Sequence, residues 1–181
     1  MKNSKILFIA LTLVTAIGIT SCSKITDMLT VTLKDVAFNV DVDVTELALK
    51  TSGFEFGGTA VLDPSENEEL AQYLSTIREV NIKSIVVTVN SATPATGLEL
   101  LDATFSIKDN VNQSEFSYTI PAALPIEVGS SITLDSSTPG FENVSTIISS
   151  LHSSTVSCGG HLNQSGFVLG FSYAITADIT V

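Results

Sequence analysis

From Phe167 the chain is apolar at every second position, through Leu169, Phe171, Tyr173, Ile175, Ala177 and Ile179 to Val181, with Gly170, Ser172, Thr176, Asp178 and Thr180 between. Side chains alternate across a strand, so this pattern predicts one buried and one wet face in an antiparallel sheet. The same period runs through Leu101, Ala103, Phe105 and Ile107, and again through Phe116, Tyr118 and Ile120. The polar stretch Asp109 to Gln113 joins them, which predicts a hairpin. Near the start, Val31 and Leu33 alternate, Lys34-Asp35 interrupts, and Val36, Phe38, Val40, Val42 and Val44 resume one residue out of phase. A slip of one residue is what a β-bulge produces, and one is expected near Lys34-Asp35 in a strand starting at Thr30. Further strands are expected at Thr51 to Leu62, where glycines 53, 57 and 58 mark a bend or close approach, at Val80 to Asn90, and at Ile132 to Leu134.

The period lengthens in two places. Asp63-Pro64-Ser65-Glu66 carries a capping aspartate, a proline suited to a first helical position and a glutamate where a capping box wants one, and Leu70, Tyr73, Leu74 and Ile77 follow at helical spacing. Phe141, Val144, Ile147, Ile148 and Leu151 recur at three and four, predicting a second short helix. The turn residues Thr93-Pro94-Ala95-Thr96-Gly97, and Pro121 with Pro125, separate these elements. Many strands, two short helices and no βαβ rhythm give the expected fold: an antiparallel β-sandwich or a strongly curved sheet with two short helices packed on it. The succession of Val80 to Val89 and Leu98 to Ile107 resembles the paired strands of the late-embryogenesis-abundant type 2 β-sandwich, which implies that those two strands are neighbours.

The first 22 residues follow a different pattern. Lys2 and Lys5 precede an apolar run from Ile6 to Thr20, shorter than the roughly 20 residues a spanning helix needs, and Ile19-Thr20-Ser21-Cys22 closes it. This resembles the lipobox of bacterial lipoproteins: an aliphatic residue, a β-branched one, a small one, then cysteine. The resemblance implies cleavage between Ser21 and Cys22 and a diacylglyceryl group on the Cys22 thiol, so that acyl chains hold the protein to a membrane. Each buried CH₂ contributes about 0.8 kcal/mol, and two or three chains anchor a soluble domain durably. Ser23 stands where an aspartate in some bacteria retains lipoproteins in the inner membrane, which favours the outer membrane; Ser23, Lys24, Ile25 and Thr26 before Asp27 lean toward its periplasmic face and leave the surface face open. The expected organisation is a leader at 1–21, acylated cysteine and tether at 22–29, and one β-rich domain at 30–181.

Charge and cysteine count narrow the partners. The whole chain carries a formal −11, and removing Lys2 and Lys5 with the leader leaves six basic residues against 19 acidic, a formal −13. That charge repels phosphate backbones, so nucleic acid is not expected as a partner; the membrane, an envelope protein or an apolar ligand is. Residues 22 to 181 suffice for one domain that buries about 70% of its unfolded surface. Cys22 and Cys158 are the two cysteines. With Cys22 acylated, Cys158 has no disulfide partner, and its even spacing from Val156 and Leu162 predicts a small buried hydrophobe.

Reactive side chains gather in a few places along the chain. His152, Cys158 and His161 form the densest set of metal-ligating and nucleophilic groups, but three ligands fall short of a structural zinc site, and Cys158 and His161 have opposite parity on a strand. Asp41 and Asp43 share a strand face, expected to be the wet face of an edge strand, and Glu99 and Asp102 lie in another strand; no D-x-D-x-D-G calcium loop occurs. Glycosidase chemistry would need paired carboxylates, and no tryptophan is present as a sugar platform. G-x-S-x-G, H-E-x-x-H and phosphate-binding glycine loops are absent from the sequence. The expectation is a non-enzymatic envelope lipoprotein without metal or cofactor, in a structural, assembly or binding role. Its alternatives are a carrier of a lipid or other apolar molecule, held between sheet and helices, and a pilus or adhesin subunit joined through the C-terminal strand.

Overall fold

The computed structural model describes residues 31–50, 53–94, 96–120 and 124–181. The leader, Ser21, Cys22, the tether, and Thr51, Ala95 and Pro121 of the expected elements lie outside the described residues. Residues Leu33–Val181 form one compact unit.

The strands are β1 (Thr32–Lys50), β2 (Gly53–Leu62), β3 (Glu79–Thr93), β4 (Glu99–Asp109), β5 (Glu115–Ile120), β6 (Leu124–Pro125), β7 (Ser131–Asp135), β8 (Ser154–Leu162) and β9 (Val168–Thr180), with helix α1 (Glu142–Ser149) between β7 and β8. They form one curled sheet in the order β5-β4-β8-β2-β1-β9-β3-β7, with β6 pairing β4 beyond β5. The paired registers of β2 with β8, β4 with β8, and β3 with β9 are antiparallel. Curling brings the two ends of the sheet face to face, so that Phe105 of β4 meets Phe171 and Tyr173 of β9 edge-on, with ring centroids 5.5 and 5.9 Å apart. Even-numbered residues of β1 and odd-numbered residues of β4 and β9 fill the space between. The expected mainly β fold is present as the strongly curved sheet.

The alternation along β9 appears as read: Leu169, Phe171, Tyr173, Ile175, Ala177 and Ile179 are all buried. The hairpin of β4 and β5 pairs Ile107 with Phe116 and Ala103 with Ile120. At Asp35 the backbone enters the left-handed region, φ 56°, and the inward positions change from odd at Leu33 to even at Val36 and Phe38. Aspartate tolerates that conformation better than a β-branched residue would, which places the phase slip where the sequence carries one.

Three expectations are corrected. The segment Pro64 to Ile77 is a 3-10 turn at Pro64–Glu66 followed by further turns, not a helix. Asp63 caps it as expected, its Oδ1 accepting from Ser65 N at 2.9 Å. Asn67 then adopts an extended backbone, its Oδ1 accepts from Glu69 N and Leu70 N, and its Nδ2 donates to Ala37 O of β1 at 2.9 Å. An asparagine side chain that competes for backbone donors stops the helix after one turn, while Leu70 stays fully buried. Second, β1 is not an edge strand, because β2 and β9 flank it. Third, β3 pairs β7 and β9, and β4 pairs β5 and β8, so the two strands expected to be neighbours lie in opposite arms of the curled sheet. The second helix forms as α1, with Val144, Ile147 and Ile148 buried.

Candidate binding surfaces

Two concave features stand out, one on the outer face of the sheet and one between its free edges. The outer feature is an open trough of about 890 Å³ crossing β1, β2, β8 and β4. Its floor is set by register: Thr104 opposes Gly159, Gly159 opposes Gly57, and Gly57 opposes Thr45, so two adjacent strands present no side chain at its centre. Leu47, at the bulge in β1, reaches across Gly57 and is 61% exposed. On one side Ser106 and Ser157 share a hydroxyl hydrogen bond of 2.6 Å. On the other, His161 Nδ1 lies 3.0 Å from both carboxylate oxygens of Asp102 across the β4–β8 ladder. Its Nε2 is buried and makes no hydrogen bond among the described residues. Sequence reading missed this pair because β4 carries a bulge between Leu100 and Asp102, which a search by parity does not reveal.

The sequence cluster His152, Cys158 and His161 does not converge. Cys158 points inward and is buried, where desolvation pushes its thiol well above the ordinary range. Tyr173 lies beside it and donates to Ser157 O at 3.1 Å. His161 points outward, as opposite parity requires, and His152 follows α1, its Nδ1 3.5 Å from Asp109 Oδ2. Asp109 ends β4 with its side chain buried, Oδ1 accepting from Val111 N and Asn112 N and Oδ2 from Asn112 Nδ2. Those bonds, the backbone one from Asn112 first, hold its carboxyl well below the usual carboxylate range. Asp41 and Asp43 are exposed on β1, and Glu99 is exposed at the start of β4. Among the described residues no group of three His, Cys, Asp or Glu side chains is placed to hold a metal ion.

The inner feature is an apolar cleft of about 260 Å³ at the seam where the two ends of the sheet approach without pairing. Phe105 and Phe171 form its floor, Val87 and Val89 of β3 one wall, and Ile120 of β5 and Ile132 of β7 its sides. The sequence predicted an apolar space between sheet and helices; the cleft lies instead between the free edges of β5 with β6 and of β7.

Among the described residues no helix is long and apolar enough to cross a membrane. No family model and no curated protein matches the chain. Among solved structures, one of Desmodium yellow mottle tymovirus is similar at 12% identity with a TM-score of 0.30, covering 84% of this chain and 89% of that one. The empty head of turnip yellow mosaic virus is similar at 14% identity with a TM-score of 0.30, covering 77% and 79%. A likeness of that degree carries no argument about what this chain does.

Proposed function

We propose that this protein is a bacterial envelope lipoprotein, anchored through acyl chains on Cys22 to the outer membrane, whose β-rich domain binds rather than catalyses. The observation that carries the anchor is the sequence itself: a two-lysine start, a 15-residue apolar run and Ile19-Thr20-Ser21-Cys22. Binding over catalysis is supported by the scatter of reactive groups. The thiol is buried, the two histidines each face an aspartate in separate places, and the exposed carboxylates of β1 stand on a strand away from Glu99. A nucleophile, its base and a third orienting group converge nowhere among the described residues.

The test is the mass of the N-terminal peptide from the full chain expressed in a bacterium. The expected product begins at Cys22 and carries a diacylglyceryl group, and Cys22→Ser leaves the chain uncleaved. A chain cut elsewhere, or one that retains an unmodified Cys22, overturns the anchor. The apolar cleft favours a second reading, carriage of an apolar small molecule. For a pilus-type subunit the C-terminal strand is poorly placed, since β9 pairs on both sides, and the free edges are those of β5, β6 and β7.

A further inference from the structure

We infer that the seam cleft is a binding site for one uncharged hydrocarbon chain of about eight carbons, or the end of a longer one. This deepens the carrier reading and rests on it. Protein cores contain few voids larger than a water molecule, yet this cleft measures about 260 Å³. At about 30 Å³ for each water in the liquid, it has room for about nine water-sized groups. That suits a single chain and not a sterol.

Side-chain chemistry selects the ligand. Val87, Val89, Phe105, Ile120, Ile132 and Phe171 present carbon only, so a hydrocarbon chain seated on them would take apolar surface out of water. Ser130 and Ser131 at the mouth supply the only hydroxyls of its lining. Glu99, in register with Pro125, and Glu127, which follows Ile126, are both exposed next to residues of the lining. Segments 98–101 and 124–132, which carry part of the lining, contain two carboxylates and no lysine or arginine. An anionic head group would meet like charge there, whereas a hydroxyl or ester finds serine donors. The cleft also lies between two strand edges that no ladder joins, so a chain can enter without breaking a strand pair.

The test uses the full chain with Cys22→Ser, so that no covalent acyl group competes, with methyl-labelled Val, Leu and Ile followed by NMR during titration with octan-1-ol and, separately, octanoate at neutral pH. Saturable octan-1-ol shifts confined to methyls of Val87, Val89, Leu100, Ile120, Ile126 and Ile132 are expected, with octanoate at least about tenfold weaker. Val87→Phe fills the cleft. Ser131→Trp, at an exposed position that does not strain the core, covers its mouth; each should weaken octan-1-ol at least about tenfold. Shifts that never saturate, or that spread beyond the cleft, overturn the site. Equal binding of octanoate overturns the neutral ligand. Should Cys22 prove unacylated in cells while octan-1-ol still binds in the cleft, the anchor falls and the cleft assignment stands.

Discussion

Asp109 shows how one side chain can hold a hairpin. Its carboxylate occupies a buried position at the end of β4 and accepts from two backbone N–H groups of the turn, so Asp109→Ala removes the acceptor that ties Val111 N and Asn112 N to the end of the strand. The variant is expected to melt several degrees below the parent in a calorimetric scan. The sign of the pH effect follows from the depressed carboxyl. Its contribution is fully present above the ordinary aspartate range near pH 4 and is lost as pH falls from there towards the lower folded-state value. Acid unfolding of Asp109→Asn, followed by circular dichroism, should therefore show a shallower loss of stability below pH 4 than the parent. Cys158 makes the opposite point, because burial keeps it as a protonated thiol. In the native chain with Cys22→Ser it is expected to resist alkylation, and mass spectrometry should find its labelling rate rising with denaturant in step with unfolding. An accessible thiol that reacts at the rate of free cysteine would contradict the buried placement.

At the scale of elements, glycines decide how closely strands approach. A Cβ on Gly160 would run into the carbonyl oxygen and Cα region of Asp102 and Ala103, both backbone, so Gly160→Ala is expected to cost about 3 kcal/mol or more. A Cβ on Gly57 meets only the end of the Leu47 side chain at 3.1 Å, which can swing away, so Gly57→Ala should stay within about 1 kcal/mol of the parent. Urea titration of both variants checks the contrast. These elements also show what could be read from the residues. Strand positions with strict alternation, as in β9, were legible because the core is the only thing that rewards the pattern. The slip at Asp35 was legible because it reverses parity on an otherwise regular strand. The turns after Asp63 were not, because helical spacing from Leu70 to Ile77 also fits a series of turns once Asn67 bonds to Ala37. The His161–Asp102 pair was hidden for a related reason: it depends on which strand lies beside which, and that is set by contacts far apart in sequence.

Long-range pairing dominates the molecule as a whole. Asp35 N bonds to Asp178 Oδ1, 143 residues away, and Lys83 links the same two carboxylates at 2.8 and 2.9 Å. Loops of that length must close before β1 gains its neighbour β9, so folding in milliseconds to seconds or slower is expected in stopped-flow refolding, with no microsecond phase carrying the main amplitude. The free edges of β5 and β7 face each other across the cleft because the sheet curls without closing. The position of β1 has a mechanical side. Tension applied at its N-terminal end, as it would be on a domain tethered there, is taken up in the middle of the sheet and not at a border. To peel β1 away, its pairing with both β2 and β9 must be lost, so such a tether would grip the molecule by an interior strand that lies between the two arms of the sheet.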